Sequence, residues 1–140
     1  MPNLNPDSQE NKELDNKVLH IMLQHPGKDR RVDRWDLVEQ VFETVVPLEE
    51  RNDDNLLDRM IRYSVGRLRA AGYLICDLGD GAGRWMASNE KEFWEFYGYY
   101  VKPIKARADV AKALKKAAQE RWPNLNQPSL FDAVEMEMSA

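Results

Sequence analysis

Apolar positions recur at helical spacing in four stretches of this chain. From Lys12 to Gln24, residues Leu14, Val18, Ile21 and Met22 share one face, and His25-Pro26-Gly27 stops the helix. Asp33 is a good N-cap for a second helix, with Asp36 in its first turn. Leu37, Val38, Val41, Phe42 and Val45 form its expected buried stripe, and Pro47 is expected to end it. Val32, in the short basic linker KDRRV, is a candidate for one brief strand between these helices. The turn PLEERNDDN follows, with Asp53 or Asp54 as the expected cap of the third helix.

At about 100° per residue the third helix divides cleanly. Leu57, Ile61, Ser64, Val65, Leu68 and Ala71 gather on one side, and Arg59, Arg62, Tyr63, Gly66 and Arg69 on the other. Gly72 is a natural C-terminal stop. YLICDL then alternates as a strand, GDGAG offers turn geometry, and RWMA reads as the return strand. From Asn89 to Trp122, residues Phe93, Tyr97, Tyr100, Ile104, Ala108, Ala111, Leu114 and Ala118 form a near-heptad seam. Pro103 falls inside it, which predicts a kinked helix or two helices, about 90–101 and 103–121. The organisation expected is a loose tail over 1–11, a domain over 12–88, a helical extension over 89–122 and an acidic tail over 123–140.

The chain has 140 residues, 43% of them hydrophobic, which is enough for a real core. No apolar run is long enough to span a membrane and the first residues are polar, so a cytoplasmic protein with no membrane partner is expected. A single cysteine, Cys76, excludes an internal disulfide and any multi-cysteine zinc site. The net charge of −4 is unevenly spread. Residues 1–55 hold 7 Lys/Arg against 13 Asp/Glu, residues 56–122 hold 13 against 8, and residues 123–140 hold none against 3. Positive charge is therefore concentrated in the third helix, the hairpin and the extension, and distribution rather than the total sets electrostatic steering.

Three helices followed by a glycine-tipped hairpin resemble the winged helix-turn-helix proteins common among bacterial and phage DNA-binding factors. The likeness rests on IRYSVGRLRAAGYLI followed by GRWMASNEKEF, with Leu68, Arg69, Gly72 and Trp85 at the family's positions. It covers roughly residues 12–92 and implies a mainly α, α+β winged helix-turn-helix with a C-terminal helical extension. It also implies double-stranded DNA as partner, although winged helices serve as protein-interaction modules too.

The physical case for DNA is that a helix fits the major groove and arginine bridges both acceptors on a guanine edge. Arg59, Arg62, Tyr63 and Arg69 are the expected contacts. Gly66 costs about 1 kcal/mol relative to alanine in a helix. Either the backbone there must approach a partner closely, or the glycine relieves crowding against a neighbouring helix. Arg84, beside the hairpin tip, is an expected phosphate or minor-groove contact, opposed by Asp77 and Asp80. Arg30, Arg31 and Arg34, at the start of the second helix, are expected to meet phosphates.

The seam over 89–122 predicts either fold-back onto the domain or a homodimer that would present two recognition helices. Gln127, Leu130 and Phe131 resemble the Gln-x-x-Leu-Phe peptide by which polymerases and repair proteins bind the bacterial sliding clamp, with Pro128 a departure from the commoner leucine. Leucine and phenylalanine in such a peptide fill an apolar pocket while glutamine bonds at its rim.

Catalysis has little support. His20 and His25 do not share a helical face squarely, no nucleophile elbow or phosphate loop occurs, and Cys76 reads as a small apolar filler. No cofactor or metal is expected. The reading is a non-enzymatic DNA-binding protein, phage-related or acting in replication and repair through the clamp, or a transcriptional regulator. The competing class is an adaptor or inhibitor that uses the same surfaces to bind protein.

Overall fold

A computed structural model of the chain describes residues 5–125. Over these it is mainly helical with one small antiparallel sheet. The order is α1 (Gln9–Met22), α2 (Arg34–Phe42), α3 (Leu56–Ala70), β1 (Ile75–Cys76), β2 (Trp85–Met86) and α4 (Glu90–Arg121). Short 3-10 turns at Lys28–Arg30 and Leu48–Glu50 fill the two interhelical connections. Two compact units divide the chain, Met1–Tyr100 and Val101–Ala140, and the boundary falls inside α4.

Local chemistry sets each helix end. α1 starts at Gln9, three residues earlier than periodicity predicts, because Ser8 Oγ accepts from the Asn11 amide at 3.2 Å. Asp33 caps α2 as expected, accepting from Trp35 N and Asp36 N at 2.9 and 3.3 Å. The end of α2 differs. Glu43 takes a left-handed conformation at φ 51° and stops the helix four residues before Pro47. Val45 consequently leaves the expected stripe and is 79% exposed, while Val46 is buried in its stead.

The cap of α3 is Asn55 rather than Asp53 or Asp54, its Oδ1 accepting from Asp58 N at 3.0 Å. At the other end Gly72, at φ 98°, permits the paired bonds Tyr73 N to Leu68 O and Gly72 N to Arg69 O that close a Schellman motif. α4 is one helix with Pro103 inside it, so the two-helix alternative is not met. Proline removes one N–H and leaves the Tyr99 carbonyl without its helical donor, a loss that water can satisfy on an exposed helix.

The main core joins α1, α2 and α3 through Val18, Met22, Leu37, Val38, Ile61 and Val65, with Ile75 of β1 sealing one end. Ser64, fully buried on α3, donates to Asp15 Oδ1 at 2.6 Å, and Arg67 grips the same carboxylate through Nε and Nη2 at 2.9 and 2.8 Å. That clasp ties α1 to α3 through polar groups that are all satisfied, as burial demands.

β1 and β2 pair Ile75 with Met86 and Cys76 with Trp85. The free side of β2 is taken by the α1–α2 connection: Val32 and Arg84 exchange both backbone bonds at 2.8 and 3.0 Å, and Met86 bonds to His25 and Gly27. The strand-like role expected of Val32 is therefore met. Gly83, at φ 103°, lies so close that a Cβ there would run into the Val32 carbonyl oxygen. A second cluster of Cys76, Trp85 and Phe96 fastens the first turns of α4 to the hairpin. Glu92 secures that joint by accepting from Trp85 Nε1 and Ser88 N, both at 3.1 Å, and from Lys28 N at 3.2 Å.

Candidate nucleic-acid interface

The exposed side of α3 is the surface that the predicted contacts single out, and it is flanked by two different borders. One border faces the hairpin and is ionic. The other faces α1 and mixes apolar side chains with charged ones. Between them runs an outer ridge carrying Arg59, Tyr63, Gly66 and Ala70.

Asp58 organises the ionic border. It sits on the first turn of α3, fully buried, where the helix N-terminus favours a negative charge. Arg34 of α2 reaches it through Nε at 2.9 Å and Nη2 at 2.6 Å, and Arg62 adds its Nε at 3.1 Å. Arg34 also touches Asp53 at 2.8 Å, and Arg62 Nη2 donates to the Asp53 carbonyl at 2.7 Å. The hydrogen bond to Asp58 is the main cause that raises the Arg34 pKa well above its ordinary range, against the pull of burial. Arg34 also lies 4.6 Å over the Trp35 ring.

The remaining predicted contacts divide by partner. Arg69 Nε donates to the Ile75 carbonyl at 2.8 Å, its Nη2 meets Asp77 at 3.0 Å, and its guanidinium rests 4.8 Å from the Phe96 ring centre. It braces the hairpin. Arg31 makes a two-oxygen contact with Asp80 at 2.9 Å and stacks 4.6 Å over Trp85. That bond holds the Asp80 carboxyl below the usual carboxylate range. Arg84 turns inward rather than out to the tip. Its Nη1 is buried without a hydrogen-bond partner among the described residues, and burial lowers its pKa. Arg30 and Arg59 form no side-chain bond among the described residues, so they are the predicted arginine contacts available without breaking an internal pair. Gln127, Leu130 and Phe131 lie outside the described residues.

Gly66 resolves one open point. A Cβ built there meets nothing within 4 Å, so crowding by a neighbouring helix is not the reason for the glycine. Beside the ridge, Asp33, Arg34, Trp35, Asp53, Arg62, Arg84 and the hairpin glycines line a cleft of about 420 Å³. With Asp77 and Asp80 also in its wall, the cleft sets four aspartates against three arginines. On the other border a groove of about 530 Å³ opens between α1, the end of α2 and α3, lined by Leu14, Phe42, Leu56, Met60 and Tyr63 together with the charged Glu10, Glu13, Lys17 and Arg67.

The charge surplus read from residues 56–122 also resolves. Residues 56–100 hold six Lys/Arg and six Asp/Glu, whereas residues 101–122 hold seven and two. The +5 thus belongs to the distal part of α4. Among the described residues no His, Cys, Asp and Glu cluster suits a metal ion, and no helix is long and apolar enough to cross a membrane. Burial pushes the Cys76 thiol up to about 11, which keeps it protonated and unreactive at neutral pH. No protein-family model, curated protein or solved structure matches the chain.

Proposed function

We propose that this protein is a non-enzymatic, winged-helix, double-stranded-DNA-binding protein that uses the outer ridge of α3 in the major groove. The observation that carries the reading is the ridge itself: Arg59 has no side-chain partner among the described residues, and the helix backbone at Gly66 stands open to an approaching surface. The element order supports it, with Val32, β2 and β1 forming a small three-segment sheet behind α3. Arg62 joins the contact by exchanging Asp58 for a phosphate or base. Asp58 is buried, so Arg62 gives up a partly buried ion pair, but Arg34 keeps both carboxylate oxygens paired during the exchange. Arg30 and the basic distal part of α4 supply phosphate contacts. Arg31, Arg34 and Arg69 keep the framework in shape.

Fluorescence anisotropy with labelled genomic and random duplexes at low salt tests this. Binding should fall steeply as salt rises, because counterions released from neutralised phosphates return to the DNA. Arg59→Ala/Arg62→Ala should weaken it at least tenfold. A wild-type chain that binds no duplex at low salt sinks the proposal.

One observation favours a protein partner instead, the groove whose apolar floor of Leu14, Phe42, Leu56, Met60 and Tyr63 is bordered by Glu10, Glu13, Lys17 and Arg67. Such a groove suits the apolar face of a partner helix. Leu56→Glu/Met60→Glu would abolish that interaction and spare DNA binding, whereas the Arg59/Arg62 substitutions would do the reverse.

A further inference from the structure

Residues 102–117 of α4 are exposed without interruption. Ile104 and Val110 are each 59% exposed and Leu114 is 65% exposed, and these three lie along one side. The opposite side carries Lys102, Lys105, Lys112 and Lys116. Most helical stability in proteins comes from packing an apolar face, and this stretch packs none among the described residues. That face is uncovered among the described residues, and Arg107 constrains what would fit it. This guanidinium stands in the middle of the apolar side, one turn from each of Ile104, Val110 and Ala111, with Arg121 further along the same side. A second copy laid on this face would bring like charges together inside an apolar contact. A bare phosphate backbone would satisfy the lysines and leave the leucine side wet. The fitting occupant is apolar and acidic at once.

We infer that residues 126–140 of the same chain cover this face, docking against Ile104–Arg121. That segment holds three acids and no Lys or Arg, against seven Lys/Arg and two acids in residues 101–122. Leu130, Phe131, Val134 and Met138 recur at the spacing of one helical side, with Asp132, Glu135 and Glu137 between them. The connection is favourable as well. After α4 the chain turns at Pro123-Asn124, where Leu125 N donates to the Trp122 carbonyl at 2.9 Å. Fifteen residues reach roughly 22 Å even when helical, close to the roughly 26 Å from Ile104 to Arg121. Leu130 and Phe131 supply the apolar anchors, and the acids meet Arg107, Lys115 and Arg121. The same two anchors are the ones a sliding-clamp pocket would take, so clamp binding and this docking exclude each other.

Amide hydrogen exchange on the full chain tests the inference. The wild type is compared at low concentration with Leu130→Ala/Phe131→Ala and with Asp132→Asn/Glu135→Gln/Glu137→Gln. Each variant should speed exchange over residues 104–121 by about tenfold while α1–α3 amides stay unchanged, and added salt should partly reproduce the effect in the wild type. Equal exchange in all three chains overturns the inference. So does protection that grows with protein concentration alongside a doubled mass by light scattering, which would assign the face to a second copy.

Discussion

Arg34 and Asp58 come from different helices, 24 residues apart in the chain, yet Arg34 spans both carboxylate oxygens of Asp58 at 2.9 and 2.6 Å. The carboxylate is fully buried and the guanidinium keeps 33% of its side-chain surface in water. This pair fixes how the start of α2 meets the start of α3, and so fixes the ridge beside it.

Asp58→Asn keeps the volume and removes the charge. It leaves two guanidinium groups facing a neutral amide that offers one acceptor. The expected loss is about 2 kcal/mol, below that of a fully buried pair because Arg34 recovers solvation from water. Urea denaturation measures it, and a variant within 0.5 kcal/mol of the wild type (roughly the ordinary surface range) would contradict the role given to Asp58.

Gly66→Ala separates folding from recognition. With open space around the position and ordinary helical geometry, alanine should raise stability by roughly 0.5–1 kcal/mol. The same methyl should weaken duplex binding if the ridge enters the groove. A higher melting temperature with unchanged affinity would keep the fold argument and remove Gly66 from the interface.

Arg84 contributes a buried donor without a partner among the described residues, so its guanidinium is a cost rather than a support. Arg84→Met retains the apolar stem and should leave stability unchanged or raise it by about 1 kcal/mol. Thermal unfolding checks this, and a marked drop in melting temperature would mean that the guanidinium holds a partner in solution.

Glu92 makes acid stability pH-dependent in a stated direction. Burial opposes its ionisation, but hydrogen bonds from Ser88, Lys28 and Trp85 outweigh it and hold the carboxyl below the usual glutamate value. A depressed folded-state pKa contributes stability above the unfolded pKa and loses it as pH falls through the folded one. Glu92→Gln should therefore be less stable at neutral pH and lose less on acidification. Trp85, buried beside Glu92, offers a fluorescence readout in urea titrations at several pH values. Parallel pH profiles for the two chains would refute the linkage.

Much of the framework was legible before any coordinates. The Asp33 cap, the buried run Ile61, Ser64, Val65 and Leu68, the stop at Gly72 and the hairpin around GDGAG all depend on neighbours within a few residues. Such features follow from helical geometry and from glycine's access to positive φ. Misreadings arose where two local signals competed. Asn55 outcompeted Asp53 and Asp54 for the α3 cap, and Glu43 ended α2 before Pro47 was reached. The placement of the positive charge was also legible, once residues 101–122 are counted apart from 56–100.

Sequence by itself determined which residues share a helical face, because side-chain direction follows backbone period. It could not determine what those side chains meet. Arg59, Arg62 and Arg69 look alike at helical spacing, yet Arg69 braces β1, Arg62 shares Asp58 and Arg59 has no side-chain partner among the described residues. Only the tertiary structure decided this, because an ion pair depends on elements that packing brings together from far along the chain. Arg84 shows it most plainly. Its position beside the turn suggested an outward contact, and the backbone exchange with Val32 sets it immediately before β2 with its guanidinium turned inward.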